Sequence, residues 1–334
     1  MLVTIREPSP NGSRNEALSR AFLSVANRRL LAMPSISSRC CRATAALIAV
    51  TTIPDFAAAQ SVLAPAGPVG AQERVILLDS LAIMLAIVIP TMAATLACVW
   101  WFRASNTRAI HMPDWNYSGK LELLVWSIPT LAILFLGGLI WASSHDLDPS
   151  QPLTSNVPPL QVQVVALDWK WLFIYPQQNV ASVNELIVPA GTPLHFEITS
   201  ATVFNVFFVP RLGSEIYAMH GMMTQLNLQA DRPGNYLGLS AQFSGDGFAG
   251  MHFEVNSMSP AQFERWIAAA RSNGPQLDDA AYRGLLRQSQ NVRPYTYRAV
   301  QPGLFGRVVT QNLPPGEGPP LNTPNSNVRP FGGK

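Results

Sequence analysis

The sequence predicts a membrane-embedded helical hairpin, then an all-β domain, then C-terminal helices. Two uncharged apolar runs, residues 80–102 and 123–144, indicate the hairpin. Short alternating or aromatic runs between residues 160 and 255, punctuated by Pro and Gly, indicate the β domain. After Ser259 the apolar spacing changes to a helical period, which indicates the last part.

Composition fits this division. Charged residues make up 13% of the 334, too few for a wholly water-exposed chain of this length. The formal charge is only +3 and no basic cluster is interleaved with aromatics, which argues against a nucleic-acid partner. The cysteines are Cys40, Cys41 and Cys98. None falls in the β region, so it has neither a disulfide framework nor a thiolate for a metal.

Residues 1–59 have the order of a secretory targeting segment. Arg28, Arg29, Arg39 and Arg42 precede the apolar stretch 43–53, and the small residues Ala57, Ala58 and Ala59 follow. The basic part comes late, which makes Met33 a candidate start; a plain basic arm is the alternative. The residues before Cys40 and Cys41 do not make a lipid-attachment signal.

The first membrane span is expected over 76–102 and the second over 121–145, each above the roughly 20 residues needed to cross about 30 Å of hydrocarbon. Pro90 and Pro129 lie inside them, as membrane helices tolerate, and Trp100, Trp101, Trp126 and Trp141 lie at or near the ends. The loop 103–120 carries Arg103, Arg108 and Lys120 against Asp114. The flanks carry Glu73, Asp79, Asp146 and Asp148 against Arg74. The positive-inside rule places the loop in the cytoplasm and both ends outside, as a cleaved targeting segment also would. A Pro-rich linker, 146–159, leads to the β domain at 160–256.

Strands are expected at 160–167, 169–175, 185–188, 194–199, 203–208, 224–228, 236–239 and 250–255, forming a sandwich or barrel. In 257–310, Ser259 with Pro260 and Gln262 is a helix start, and Phe263, Trp266, Ile267 and Ala270 share one face. A second helix is expected at 278–288, and 311–334 reads as a disordered tail.

The chemistry centres on residues 239–255. This Gly- and Ser-rich loop between two strands has the shape of a metal-binding loop, yet it holds no Cys, and its one His, His252, follows Met251. Met251 alone is more simply a core residue. His111 and His145 fall at the membrane segment, away from the rest. His195 and Glu197 share one strand face. His220, beside Met219, Met222 and Met223, lacks a supporting thiolate. No nucleophile–base set and no phosphate loop can be assembled. The aromatic run 169–175 reads either as core packing with one exposed face or as an electron-entry patch.

The order of segments resembles subunit II of the heme-copper terminal oxidases, from about residue 73 to 308. The motifs that carry the likeness are FRASN at 102–106, DWKWLFIYP at 168–176, FFVPRLG at 207–213, IYAM at 216–219, and the aromatic stretch 297–305, which is similar to that of the quinol-oxidising branch. The resemblance implies a cupredoxin-like, Greek-key β domain. In relatives that oxidise cytochrome c it also implies a binuclear copper centre of two His, two Cys, one Met and one Glu carbonyl. Matched position by position, Asn205 stands for the first His, Ser240 and Ser244 for the Cys pair, Gln242 for the Glu and Phe248 for the second His; Met251 alone keeps its type. Trp171 matches the Trp that faces cytochrome c.

The chain therefore looks like a member of the cytochrome bo-type ubiquinol oxidase subunit II family. That implies a structural subunit of a proton-pumping ubiquinol:oxygen oxidoreductase, without catalytic, cofactor or metal residues of its own. Two hemes and one copper are expected in a partner subunit I, with further small subunits, membrane lipid and ubiquinol as partners and no cytochrome c. Its expected place is the bacterial inner membrane, crossed twice, with both termini and the β domain on the periplasmic side. The alternatives are a copper-containing cytochrome c oxidase subunit II and a free-standing, membrane-anchored binding protein.

Overall fold

The computed structural model describes residues 62–110 and 112–316. The targeting segment, Cys40, Cys41, His111 and residues 317–334 lie outside these.

Helix α1 spans Pro68–Trp101 and α2 spans Gly119–Asp146. At 1.5 Å per residue they are about 51 and 42 Å long, more than a bilayer core needs. The α1 helix begins earlier than residue 76, and the extra turns lie against the β domain. Ala66 N–H donates to Arg211 O (2.7 Å), Gly70 N–H to Leu212 O (3.0 Å), and Ser214 Oγ to a Glu73 carboxylate oxygen (2.7 Å). Along the spans the large apolar side chains are exposed, Leu123 and Trp126 by 70% and 73%. A water-soluble helix pair could not leave so much apolar surface bare; a lipid-embedded one does. Several hydroxyls within the spans bond back to their own helix, as Thr91 Oγ1 does to Ile87 O and Thr130 Oγ1 to Trp126 O, which pairs them in hydrocarbon.

The β domain is a sandwich of two mixed sheets. The strands are β1 (Leu160–Leu167), β2 (Lys170–Tyr175), β3 (Val180–Val183), β4 (Glu185–Pro189), β5 (Pro193–Ser200), β6 (Asn205–Val209), β7 (Gly213–Ala218), β8 (Thr224–Gln229), β9 (Gly234–Ser240), β10 (His252–Met258), β11 (Gln276–Leu277), β12 (Tyr295–Tyr297) and β13 (Ala299–Val300). One sheet runs β12-β3-β2-β1-β5-β8 and the other β4-β10-β9-β6-β7. The pairs β1–β5 and β4–β10 are parallel, so the chain crosses between edges instead of meandering. Between the sheets lies the main core, with Trp171, Phe173, Phe196, Phe207 and Phe253 at its centre.

The C-terminal helices are α3 (Pro260–Ser272), α4 (Asp279–Leu286) and α5 (Leu304–Val309). Helix α3 starts where its Ser-Pro signal predicts, with Gln262 Oε1 accepting from the Ser259 backbone and hydroxyl. Helices α4 and α5 cover the outer face of the first sheet and build a second core on it, with Val165, Leu167, Leu172, Ile174, Tyr282, Leu285, Phe305 and Val308. Every residue of β2 is therefore buried, and the expected alternation of an exposed and a buried face does not occur there. Residues 311–316 also depart from the expected disorder: Leu313 packs into the second core and Gly316 N–H donates to Ala201 O.

Strands β3 and β7, with the short pairs at β11–β13, were not expected. β3 is a four-residue strand that follows β2 through a turn at Asn179, whose φ is 54°. β7 is masked in the sequence by the Pro210–Gly213 turn signal just before it.

Candidate functional site

The loop 239–255 leaves β9 and returns on β10, beside the start of β6. These three strands are neighbours in one sheet: Phe207 is opposite Ser240, and His252 is opposite Leu239. Backbone bonds close the frame, from Ser240 N–H to Met251 O (3.1 Å) and from Ala241 N–H to Val206 O (3.2 Å). A short 3-10 turn, Phe248–Gly250, brings Met251 back inward, where it is 2% exposed.

The structure brings together most of the residues singled out in the sequence. Asn205, Ser240, Ser244 and Met251 are all buried. The Ser240 hydroxyl donates to Asn205 Oδ1 at 3.1 Å, and the Ser244 hydroxyl lies 3.8 Å from the Met251 sulfur. Asn205 Nδ2 in turn donates to Val203 O (3.1 Å). Gln242 is exposed and does not join them; a backbone carbonyl is what its position would offer, and Gln242 O does lie 3.3 Å from the Ser240 hydroxyl. Phe248 turns to Phe243 with ring centres 5.6 Å apart, and Phe243 is 71% exposed.

This donor set does not fit a copper centre. An alcohol does not give up its proton to a metal near neutral pH as a thiol does, a carboxamide nitrogen has no free lone pair, and a phenyl ring offers none. The polar groups that converge here are satisfied within the protein: Ser240 by Asn205, Asn205 Nδ2 by Val203 O, and Ser244 against the Met251 sulfur. Among the described residues no three His, Cys, Asp or Glu are grouped as metal ligands.

The aromatic run resolves differently from either expectation. Trp171 is wholly buried, with its ring 5.5 Å from Phe207 and 5.6 Å from Phe253, so it cannot face a soluble partner. The residue at the frame is Trp169. It sits in the β1–β2 turn with φ of 61°, outside the strand expected for it. Its indole N–H donates to Ser244 O at 3.0 Å. Gly247 lies under its ring so closely that a Cβ there would stand 2.3 Å from the indole. A strained backbone at an aromatic residue, tied across the two sheets, marks Trp169 as a positioning residue for this loop.

Two further groups were missed by sequence reasoning. Lys170 is 2% exposed, and its ammonium donates to Arg287 O (2.7 Å), Ser289 Oγ (2.7 Å) and Asp168 O (3.3 Å). Burial lowers it to about 8, against the opposing pull of Asp168. Asp168 accepts from Thr202 Oγ1 at 2.6 Å, and its second carboxylate oxygen is buried without a partner. Asn184, in a left-handed turn, accepts from Trp171 N–H (2.8 Å) and donates to Val292 O (2.9 Å). The only local signal for either group was a polar residue inside an aromatic run or a turn; the partners that close each group, Arg287, Ser289 and Val292, lie more than 100 residues along the chain.

Of the histidines, His195 shares one face of β5 with Glu197 as expected, but that face is half-buried where a solvated one was expected, and both are engaged there: His195 Nδ1 with Asn227 Oδ1 (2.9 Å) and Glu197 with Gln163 (2.9 Å). His220 Nδ1 donates to Ser200 O (3.2 Å), and His145 stacks near Trp141 at the end of α2.

Comparison with known proteins gives a consistent picture. The family model described as "Cytochrome C oxidase subunit II, periplasmic domain" matches residues 160–258, and the "COX Aromatic Rich Motif" matches 271–316. The chain is 46% identical over 247 residues to the cytochrome bo(3) ubiquinol oxidase subunit 2 of Pseudomonas aeruginosa, covering 74% of this chain and 75% of that one. It is 47% identical over 252 residues to the ubiquinol oxidase subunit 2 of Acetobacter aceti, covering 75% and 82%. The crystal structure of the periplasmic domain of cytochrome oxidase subunit II from Bradyrhizobium japonicum aligns over 36% of this chain and 98% of its own, at 21% identity and a TM-score of 0.34.

Proposed function

Because this chain belongs to the ubiquinol oxidase subunit 2 family, within the wider cytochrome oxidase subunit II family, we propose that it is a scaffold subunit through which no electron passes. The assembly it serves is a quinol:oxygen oxidoreductase that also moves protons across the membrane.

One observation carries the reading. The positions matched to copper ligands hold Asn205, Ser240, Ser244 and Phe248; Ser240 bonds Asn205, and the Ser244 hydroxyl lies against the Met251 sulfur. A water-soluble donor such as cytochrome c needs an outer metal relay, because the heme of a membrane-embedded partner lies too deep for it. Quinol is dissolved in the bilayer and needs no outer relay. The β domain then serves as a rigid cap on the heme-bearing partner subunit, which supplies the hemes and copper. Phe204 and Tyr217, in ring contact at 4.9 Å, and Phe243 stay exposed around the frame and offer an apolar rim for that contact. The charges flanking α1 and α2 favour the α1–α2 loop in the cytoplasm and the β domain outside, which in a two-membrane bacterium is the periplasmic side of the inner membrane.

The reading of a copper-bearing, cytochrome c-oxidising subunit lacks the thiolates and imidazoles it requires. A free-standing binding protein does not agree with the oxidase subunits that match along three-quarters of the chain.

The test is isolation of the complex through this chain, with a metal count, a visible spectrum and oxygen uptake on two donors. Heme and copper confined to the partner, with turnover on ubiquinol and none on reduced cytochrome c, is the expected result. Cytochrome c oxidation, or copper on this chain after its separation from the partner, would falsify the reading.

A further inference from the structure

We propose that the seam between α1 and α2, at the end beside the β domain, holds one zwitterionic phospholipid with a primary amine headgroup. The proposal rests on the helix pair spanning a bilayer and is independent of which donor the oxidase uses.

The seam is hollow because its residues are small where the helices would otherwise meet. Ala71 on α1 faces Ala142 and Ser143 on α2, and Val75, Ile76 and Leu139 form the walls. The cavity is 590 Å³, far more than a single water needs. Its walls are mostly apolar, with Gln72, Ser143 and Asp146 as the polar exceptions, so it suits an acyl chain better than water.

The rim determines the headgroup. Asp146 is the last residue of α2, just past the apolar run, at the depth where headgroups begin. It lines both this seam and a smaller polar cavity of 140 Å³ above it, as does Gln72. Neither side chain has a hydrogen-bond or ion-pair partner among the described residues, whereas the neighbouring carboxylates are engaged. Glu73 accepts from Ser214, and Asp148 accepts from both the N–H and the hydroxyl of Ser150. The Ser143 hydroxyl is already committed to Leu139 O. The rim therefore offers one unpaired carboxylate and one amide, in a neighbourhood where Glu73, Asp146 and Asp148 outnumber Arg74 and His145. An anionic headgroup would meet uncompensated negative charge there. An ammonium pairs with Asp146, leaving Gln72 to donate to the phosphate, and the chain fills the seam.

The experiment uses the complex purified through this chain in mild detergent from membranes that contain phosphatidylethanolamine and phosphatidylglycerol. Retained lipid is read by class analysis and by native mass. The wild type is expected to keep one phosphatidylethanolamine through washing that Asp146→Asn and Ala142→Phe each lose, with heme content and subunit composition unchanged. Equal retention in both variants would overturn the proposal. So would phosphatidylglycerol held equally well, loss of a quinone in place of the lipid, or loss of a subunit from Ala142→Phe, which would show that a partner helix fills the seam. A complex without heme would sink the oxidase reading, but the lipid count on this chain could still be read.

Discussion

Ser240 Oγ and Asn205 Oδ1 stand 3.1 Å apart at the point where two adjacent strands end, and that pair shows how the frame holds together without a metal. Each buried hydrogen bond of this kind adds only about 1 kcal/mol, but an unpaired group there would cost about as much again or more. The geometry predicts that the frame can be refilled. The combined variant Asn205→His, Ser240→Cys, Gln242→Glu, Ser244→Cys, Phe248→His should take up copper and show a visible thiolate-to-copper absorption. A colourless product with titratable free thiols would mean that these positions do not converge as described. Gly247 makes a separate point. A methyl group there would press into the Trp169 ring, so Gly247→Ala should destabilise the β domain by about 1–3 kcal/mol. An unchanged melting temperature would show that Trp169 is not packed on the loop.

At the scale of elements, the Lys170 ammonium holds the stretch 287–289 against β2. Its lowered value gives the link a pH signature. From about pH 8 to the ordinary lysine value of 10.5, the unfolded chain keeps a proton that the folded chain has released. Stability therefore rises with pH in that window, and the full cost of the buried charge applies below it. Tyr175, Tyr282 and Tyr297 act in the opposite direction above about pH 10, where burial keeps them protonated in the fold while unfolded tyrosines ionise. Denaturant melts of the detergent-solubilised chain between pH 8 and 10 should gain on the order of 2 kcal/mol, and Lys170→Met should stay flat over the same range. An equal gain in the variant would place the titrating group elsewhere.

At the scale of the whole molecule, the helix pair and the β domain are joined in two ways. The Pro-rich linker connects them covalently, and Asn227 Nδ2 holds it by donating to Pro149 O and Ser150 O. The start of α1 docks directly, with Gly67 so near Gln229 that a Cβ would stand 2.1 Å from its carbonyl oxygen. Gly67→Ala should lift α1 off the domain, and hydrogen exchange at the Ala66 and Gly70 amides should then speed up at least tenfold, equivalent to about 1.4 kcal/mol. Protection equal to wild type would show that the linker alone sets the arrangement.

The sequence by itself determined the spans, the β domain and the start of α3, because uninterrupted apolarity, strand punctuation and a Ser-Pro-x-Gln signal act over a few residues. It also fixed the identity of the residues at the frame, since a missing thiolate or imidazole is plain in the letters. Tertiary structure alone decided that Trp169 and not Trp171 meets the loop, because a positive φ at residue 169 turns the ring across to the other sheet. It likewise decided that β2 is buried on both faces: the covering helices α4 and α5 come from over 100 residues downstream, and no local pattern in 170–175 specifies what will lie on its outer side. The burial of Lys170 and the docking of α1 have the same cause, since each depends on a backbone carbonyl that a distant segment brings into reach.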